Sequence, residues 1–132
     1  MIQTRFWLEL KQAVNVVTTA LETMIGGELY VCKIPSMKMT DLAKALAPNL
    51  PIKSIGIRPG EKLHEMMISK DDARNTVEFD DYYIIEPDLE WWHTRKKFPK
   101  DAKRVAPDFE YTSSNNTEWL TIEQMKEMAK KL

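Results

Sequence analysis

The residues best suited to hold an anion fall in one short stretch, Ile55-Gly56-Ile57-Arg58-Pro59-Gly60-Glu61-Lys62-Leu63-His64-Glu65. An apolar run stops there at an arginine, a Pro-Gly pair and a series of charges. Proline fixes its own φ and glycine tolerates a positive one, so Pro59-Gly60 turns the chain sharply, with Arg58 before the bend and Glu61 just past it. Two opposite charges are thereby fixed on one rim. A strand end, a tight turn and a helix start form a common anion-binding edge in α/β proteins. The same residues also suit a plainer role, an arginine paired with a nearby carboxylate on a solvated turn.

Several elements must position that rim. Ile52 to Ile57 carries β-branched residues at 52, 55 and 57, the composition of a buried strand. Beyond Glu61, Leu63, Met66 and Met67 fall at helical spacing and predict a short helix with Glu61 near its N-terminus. Upstream, Ile2 to Leu10 reads as a strand whose alternation puts Phe6 and Leu8 on one face and Arg5 and Trp7 on the other. It starts without a preceding turn or helix, which suggests a missing N-terminal partner. Val14, Val17, Leu21 and Met24 predict an amphipathic helix from about Lys11 to Met24, stopped by Gly26-Gly27 and followed by a strand, Glu28 to Cys32. Lys33 to Lys38 reads as a loop; Thr40 can cap a helix, Asp41 to Leu46, that Pro48 and Pro51 close off. Val77 and Phe79 form one strand and Tyr82 to Ile85 another, with Asp80-Asp81 as the turn between them. At the end, Thr121 with Gln124 three residues on predicts a capped helix from Ile122 to about Lys130. This order of strands and helices reads as a piece of an α/β domain.

Composition narrows the function. At 132 residues the chain suits one domain, and 43% apolar with 30% charged residues is ordinary for a soluble globular protein. The formal net charge of -1 gives no reason to expect nucleic acid or an anionic membrane as partner. Cys32 is the only cysteine, so no internal disulfide is possible and a cytoplasmic, reducing compartment is expected. Its apolar surroundings in sequence mark it as core. No run approaches the roughly 20 apolar residues of a membrane span, and no signal-peptide pattern opens the chain. His64 and His93 lack the further ligands at matching spacing that zinc requires. Between Asp88 and Asp108, Trp91-Trp92-His93 meets a basic cluster at Arg95, Lys96, Lys97, Lys100, Lys103 and Arg104. Such interleaving can bind single-stranded nucleic acid. The favoured reading is a surface excursion whose tryptophans cover an apolar neighbour or a subunit contact, because no basic surplus extends the groove.

Arg58-Pro59-Gly60-Glu61-Lys62-Leu63-His64-Glu65, with Thr4-Arg5-Phe6-Trp7 and Lys33-Ile34-Pro35-Ser36-Met37-Lys38, resembles the C-terminal part of the inverting UDP-N-acetylglucosamine 4,6-dehydratases. These are extended short-chain dehydrogenase/reductases of surface-polysaccharide and flagellin-sugar biosynthesis. The similarity runs from about Thr4 to Pro87 and resumes from Tyr111 to the end. The resemblance implies an α/β substrate-binding lobe that lacks the N-terminal Rossmann domain, spanning residues 1–132 with 88–108 as an excursion within it. It gives Arg5 and Arg58 the substrate diphosphate, a role that planar guanidinium donors suit because they can pair two phosphate oxygens at once. It gives Glu61 the ribose, whose adjacent hydroxyls can both donate to one carboxylate. In the intact enzyme it further implies NADP bound by the Rossmann domain, a Tyr-x-x-x-Lys pair, and an oligomer. Hydride leaves C4 of the sugar, water is eliminated across C5 and C6, and hydride returns to C6 with inversion at C5.

This chain carries no Gly-x-Gly-x-x-Gly turn and no Tyr-x-x-x-Lys pair, so neither cofactor-binding nor catalytic residues are expected in it. The expectation is therefore the nucleotide-sugar-binding portion of such a dehydratase, inactive alone and needing its Rossmann half or a separate chain that supplies it. The alternative is a freestanding, non-catalytic module that binds a nucleotide or docks on another protein.

Overall fold

A computed structural model describes residues 2–95, 98 and 102–131. In chain order its elements are β1 (Thr4–Phe6), α1 (Leu10–Thr23), β2 (Leu29–Cys32), β3 (Ser36–Lys38), α2 (Met39–Leu46), β4 (Met66–Ile68) and α3 (Lys70–Ala73). There follow β5 (Thr76–Glu78), β6 (Tyr82–Ile85), α4 (Glu90–Arg95), β7 (Lys103–Arg104), β8 (Tyr111–Thr112) and α5 (Ile122–Ala129). The fold is mixed α/β, as expected, and it gathers into two compact units.

The first unit comprises the described residues of Met1–Trp7, Ile34–Met66 and Tyr111–Leu132. Here β1 pairs antiparallel with β3, setting Arg5 opposite Met37. The core is Met37, Ala45, Leu120 and Met125, with Trp7, Met39, Leu42, Ile122 and Met128 packed against it. Met37 is thus a packing residue. Helix α5 begins as its sequence predicts: the Thr121 hydroxyl accepts from the Gln124 N–H while the Gln124 side chain accepts from the Thr121 N–H. That reciprocal cap satisfies two otherwise orphaned donors. Helix α2 begins two residues before the predicted Asp41, with Lys38 at its N-cap and no side-chain cap bond, so Thr40 lies inside the helix. Tyr111 ties the middle of the unit together, its hydroxyl accepting from the Ile34 N–H and donating to the Ile34 carbonyl, both at 2.9 Å.

Two expected elements of this unit are absent. Residues 52–57 form no strand, and Ile55 is 73% exposed. Strand propensity needs a ladder partner to be realised, and none of the described residues supplies one there. The helix expected after Glu61 is replaced by a bend that leads into β4. Met66-Met67-Ile68 is a short continuous apolar run, which periodicity alone cannot assign to helix or strand.

The second unit comprises Leu8–Lys33 and the described residues of Met67–Glu110. Its sheet has the order β2-β6-β5-β7 with antiparallel neighbours. The predicted turn at Asp80-Asp81 joins β5 to β6. Ser69 caps α3, a helix unforeseen in the sequence, through a reciprocal pair with Asp72. Helix α1 ends at Thr23 with Met24 in an extended conformation, so Gly26 and Gly27 lie in the following turn and do not cap the helix. Gly27 has φ +87°, and a Cβ there would come within 3.1 Å of the Pro87 ring. Trp92 is buried and packs near Phe98, while Trp91 is exposed. At least one tryptophan of the excursion therefore covers the unit's own interior. Beside it, buried Glu86 meets Arg104 at 2.7 Å and His93 at 3.5 Å, which offsets the cost of burying a carboxylate. Lys96, Lys97 and Lys100 of the predicted basic cluster lie outside the described residues. Among the described residues, no helix is long and apolar enough to cross a membrane.

Candidate nucleotide-binding site

All three residues singled out in the sequence fall in the first unit, and all three act on the segment from 58 to 65. The Pro59-Gly60 bend is a type II turn in character: Gly60 has φ +77° and the Glu61 N–H donates to the Arg58 carbonyl at 3.0 Å. The Glu61 carboxylate closes the turn from the other side. One oxygen accepts from the Arg58 N–H at 3.1 Å and the other from the Gln3 amide at 2.9 Å. These bonds favour the ionised form, so the Glu61 carboxyl is held below its ordinary range. Donation from Gln3 contributes most, then the Arg58 N–H, and behind them the charges of Arg58 and Arg5. Glu61 is an anion fixed in place. The Arg58 guanidinium, in contrast, forms no hydrogen bond or ion pair with the described residues.

Arg5 reaches the same segment from β1. Its Nη1 donates to the carbonyls of Thr4 at 2.7 Å and Leu63 at 3.2 Å, its Nη2 donates to the Lys62 carbonyl at 2.9 Å, and its Nε faces the Glu65 carboxylate at 3.5 Å. A guanidinium has five N–H donors, so one on Nη2 remains uncommitted. Next to it, a hydroxyl network anchors the segment. Ser113 Oγ accepts from the Glu65 N–H at 2.9 Å, lies 2.7 Å from Thr4 Oγ1, and donates to the Thr4 carbonyl at 3.2 Å. Thr4 Oγ1 in turn lies 2.6 Å from His64 Nδ1. Neither Gln3 nor the Thr4–His64–Ser113 network carries a sequence signal, because the partners are 58 to 109 residues apart.

A cleft of about 270 Å³ opens beside Glu61. It is lined by Met39, Thr40 and Ala43 of α2 and by Ile52, Ile57 and Leu63, with Gln3, Ser54 and Glu61 as further polar positions. Mostly apolar walls with a few converging polar groups describe a site for a small organic ligand. Lys33 pairs with Glu78 at 2.8 Å, and Lys38 lies over the Trp119 ring. Burial raises the Cys32 thiol above its ordinary pKa, which makes it a poor nucleophile. Among the described residues no group of His, Cys, Asp and Glu could hold a metal ion.

The profile of the polysaccharide biosynthesis protein family matches residues 2–87, most of this chain and all of the Arg58–Glu65 segment. The chain belongs to that family. It is 47% identical over 130 residues to the UDP-N-acetylglucosamine 4,6-dehydratase (inverting) of Campylobacter jejuni subsp. jejuni serotype O:2, a match that covers 95% of this chain and 39% of that enzyme. It is also 36% identical over 129 residues to the UDP-glucose 4-epimerase of Rickettsia canadensis, covering 95% of this chain and 38% of that protein. Among solved structures, Pen from Bacillus thuringiensis superposes with a TM-score of 0.79 at 25% identity, over 98% of this chain and 39% of that one. The chain thus spans about two fifths of the length of the relatives it matches.

Proposed function

We propose that this chain is the nucleotide-sugar-binding portion of an NADP-dependent UDP-N-acetylglucosamine 4,6-dehydratase with 5-inversion, in surface-polysaccharide or flagellin-sugar biosynthesis. The observation that carries the reading is the Arg58–Glu61 turn. It presents an uncommitted guanidinium, and its fixed Glu61 carboxylate lines a cleft of about 270 Å³, in a chain 47% identical to part of such an enzyme. Arg58 pairs with the substrate diphosphate, and Glu61 accepts from the ribose hydroxyls. Support also comes from the relatives' activities, a UDP-N-acetylglucosamine dehydratase and a UDP-glucose epimerase, which differ in chemistry but share a UDP-sugar.

The protons and hydride are moved elsewhere. The sequence has neither the Gly-rich dinucleotide turn nor the Tyr-x-x-x-Lys pair, so on this reading NADP and catalysis belong to a Rossmann half, and this chain is inactive without it. Helix α1 supports the need for such a partner. Leu10, Val14, Val17 and Leu21 recur at intervals of four, three and four, and all are exposed, Leu10 at 81%. An apolar stripe of this kind is normally covered. Calorimetric titration with UDP-N-acetylglucosamine tests the proposal: binding that is lost in Arg58→Ala supports it. Absent binding in the parent chain leaves a freestanding docking module as the better account.

A further inference from the structure

The second unit carries a cavity of its own. It has a volume of about 240 Å³ and is lined by Lys33 just past β2, by Glu78, Phe79 and Asp80 where β5 turns toward β6, and by Ala102 and Lys103 at the start of β7. The strand register brings these residues together. Glu78 lies opposite Lys103 on the β5–β7 pair, and the Lys33 N–H donates to the Asp81 carbonyl at 3.0 Å, so the charges collect at one end of the sheet. The Lys33 ammonium pairs with Glu78 at 2.8 Å and lies 5.0 Å from the centre of the Tyr83 ring. Those two charges answer each other. The exposed Asp80 carboxylate and the exposed Lys103 ammonium do not: neither forms a hydrogen bond or ion pair with the described residues.

We propose that this cavity binds a small zwitterion of the free amino acid class, its ammonium held by Asp80 and its carboxylate by Lys103. Charge balance carries the choice. The lining holds two cations, Lys33 and Lys103, and two anions, Glu78 and Asp80. A ligand with one charge gains one partner and meets a like charge as well, whereas a net-neutral ligand with separated ends gains both partners. Size sets the class: sites for drug-sized ligands occupy about 300–1,000 Å³, and this cavity is smaller. Phe79, its ring stacked on Tyr82 at 5.0 Å, adds an apolar surface against which an amino acid side chain can pack. The site owes nothing to the nucleotide reading, since none of its residues lines the cleft beside Glu61.

L-Phenylalanine, phenethylamine and 3-phenylpropionate test the proposal, because they share a phenyl ring and differ in the charges they carry. Titrated into the full chain and followed by backbone amide shifts, L-phenylalanine should move Lys33, Glu78, Asp80 and Lys103. Each singly charged analogue should bind about threefold to fivefold more weakly, the worth of one exposed ion pair. Lys103→Gln should weaken L-phenylalanine by the same factor and leave phenethylamine, which has no carboxylate, unaffected. Asp80→Asn should weaken L-phenylalanine equally and leave 3-phenylpropionate unaffected. Both side chains are exposed, so the variants should keep the parent's urea midpoint. Equal binding of the three probes, loss of all three in either variant, or no shift at the solubility limit of L-phenylalanine overturns the proposal. UDP-N-acetylglucosamine should leave these four amides in place, so failure here leaves the site at Arg58 and Glu61 untouched.

Discussion

Replacing Ser113 by alanine should weaken the first unit out of proportion to the one oxygen removed. Ser113 is fully buried, and its hydroxyl accepts from the Glu65 N–H, meets Thr4 Oγ1 and donates to the Thr4 carbonyl. The variant loses these bonds and leaves the Glu65 N–H without its acceptor. A net hydrogen bond contributes about 1 kcal/mol and a part-buried donor left without its acceptor costs toward the lower end of about 1–3 kcal/mol, so the expected loss is roughly 2–3 kcal/mol. Urea denaturation followed by circular dichroism and tryptophan fluorescence reads it as a lower midpoint with an unchanged slope. Ser114→Ala is the matched control: Ser114 is exposed and shares only a 3.1 Å contact with Thr112, so it should stay within about 0.5 kcal/mol of the parent. If Ser113→Ala and Ser114→Ala behave alike, the hydroxyl network does not anchor the segment and the reasoning that ties β1 to residues 63–65 is wrong.

Three further outcomes follow from the same geometry. Gly60→Ala should destabilise the turn by about 1–2 kcal/mol through its positive φ alone, since nothing lies within 4 Å of the new methyl; a variant with parent-like stability and affinity contradicts the turn assignment. The Glu61 carboxyl should titrate below the usual glutamate range by carbon-detected NMR, and Gln3→Ala should move it upward, because donation from Gln3 is the largest cause of the shift. A lowered folded pKa means that the turn's bonds are complete above the unfolded value and are lost as pH falls through the folded one; a Glu61 titration unmoved by Gln3→Ala counts against that pairing. The exposed stripe on α1 should make the parent chain associate at high concentration, and Leu10→Glu with Leu21→Glu should shift sedimentation toward the monomer; a parent monomeric throughout refutes a covered face.

What could be read in the sequence depended on how local the cause was. Thr121 and Gln124 predict α5 because the cap and the helix are the same few residues, and the periodicity from Val14 to Leu21 predicts α1 for a similar reason. Val77 and the run from Tyr82 to Ile85 flank a turn and pair with each other, so that hairpin was also legible. Residues 52–57 misled because β-branched composition describes a tendency to be buried, and a strand forms only where another edge meets it. The capping pair of Ser69 and Asp72 was missed because aspartate stood where glutamate or glutamine is usual. At the site, Arg58 and Glu61 were visible as a turn with charges on either side. The side chains that hold that turn, Gln3, Thr4 and Ser113, come from the two ends of the chain, and no spacing rule joins them. For Arg5 the residue type suggested the correct neighbourhood, while only the fold shows where its donors go.

The central claim is that one nucleotide binds at the turn that Arg58 and Glu61 flank. Amide chemical-shift mapping with UDP-N-acetylglucosamine tests it most directly, because it reads the backbone N–H of every residue but the prolines at once. The account predicts shifts concentrated at Gln3, Thr40, Ser54 and residues 56–63, with their loss in Arg58→Gln. Shifts gathered instead around Lys33, Glu78 and Lys103, or no shifts at saturating ligand, would contradict it.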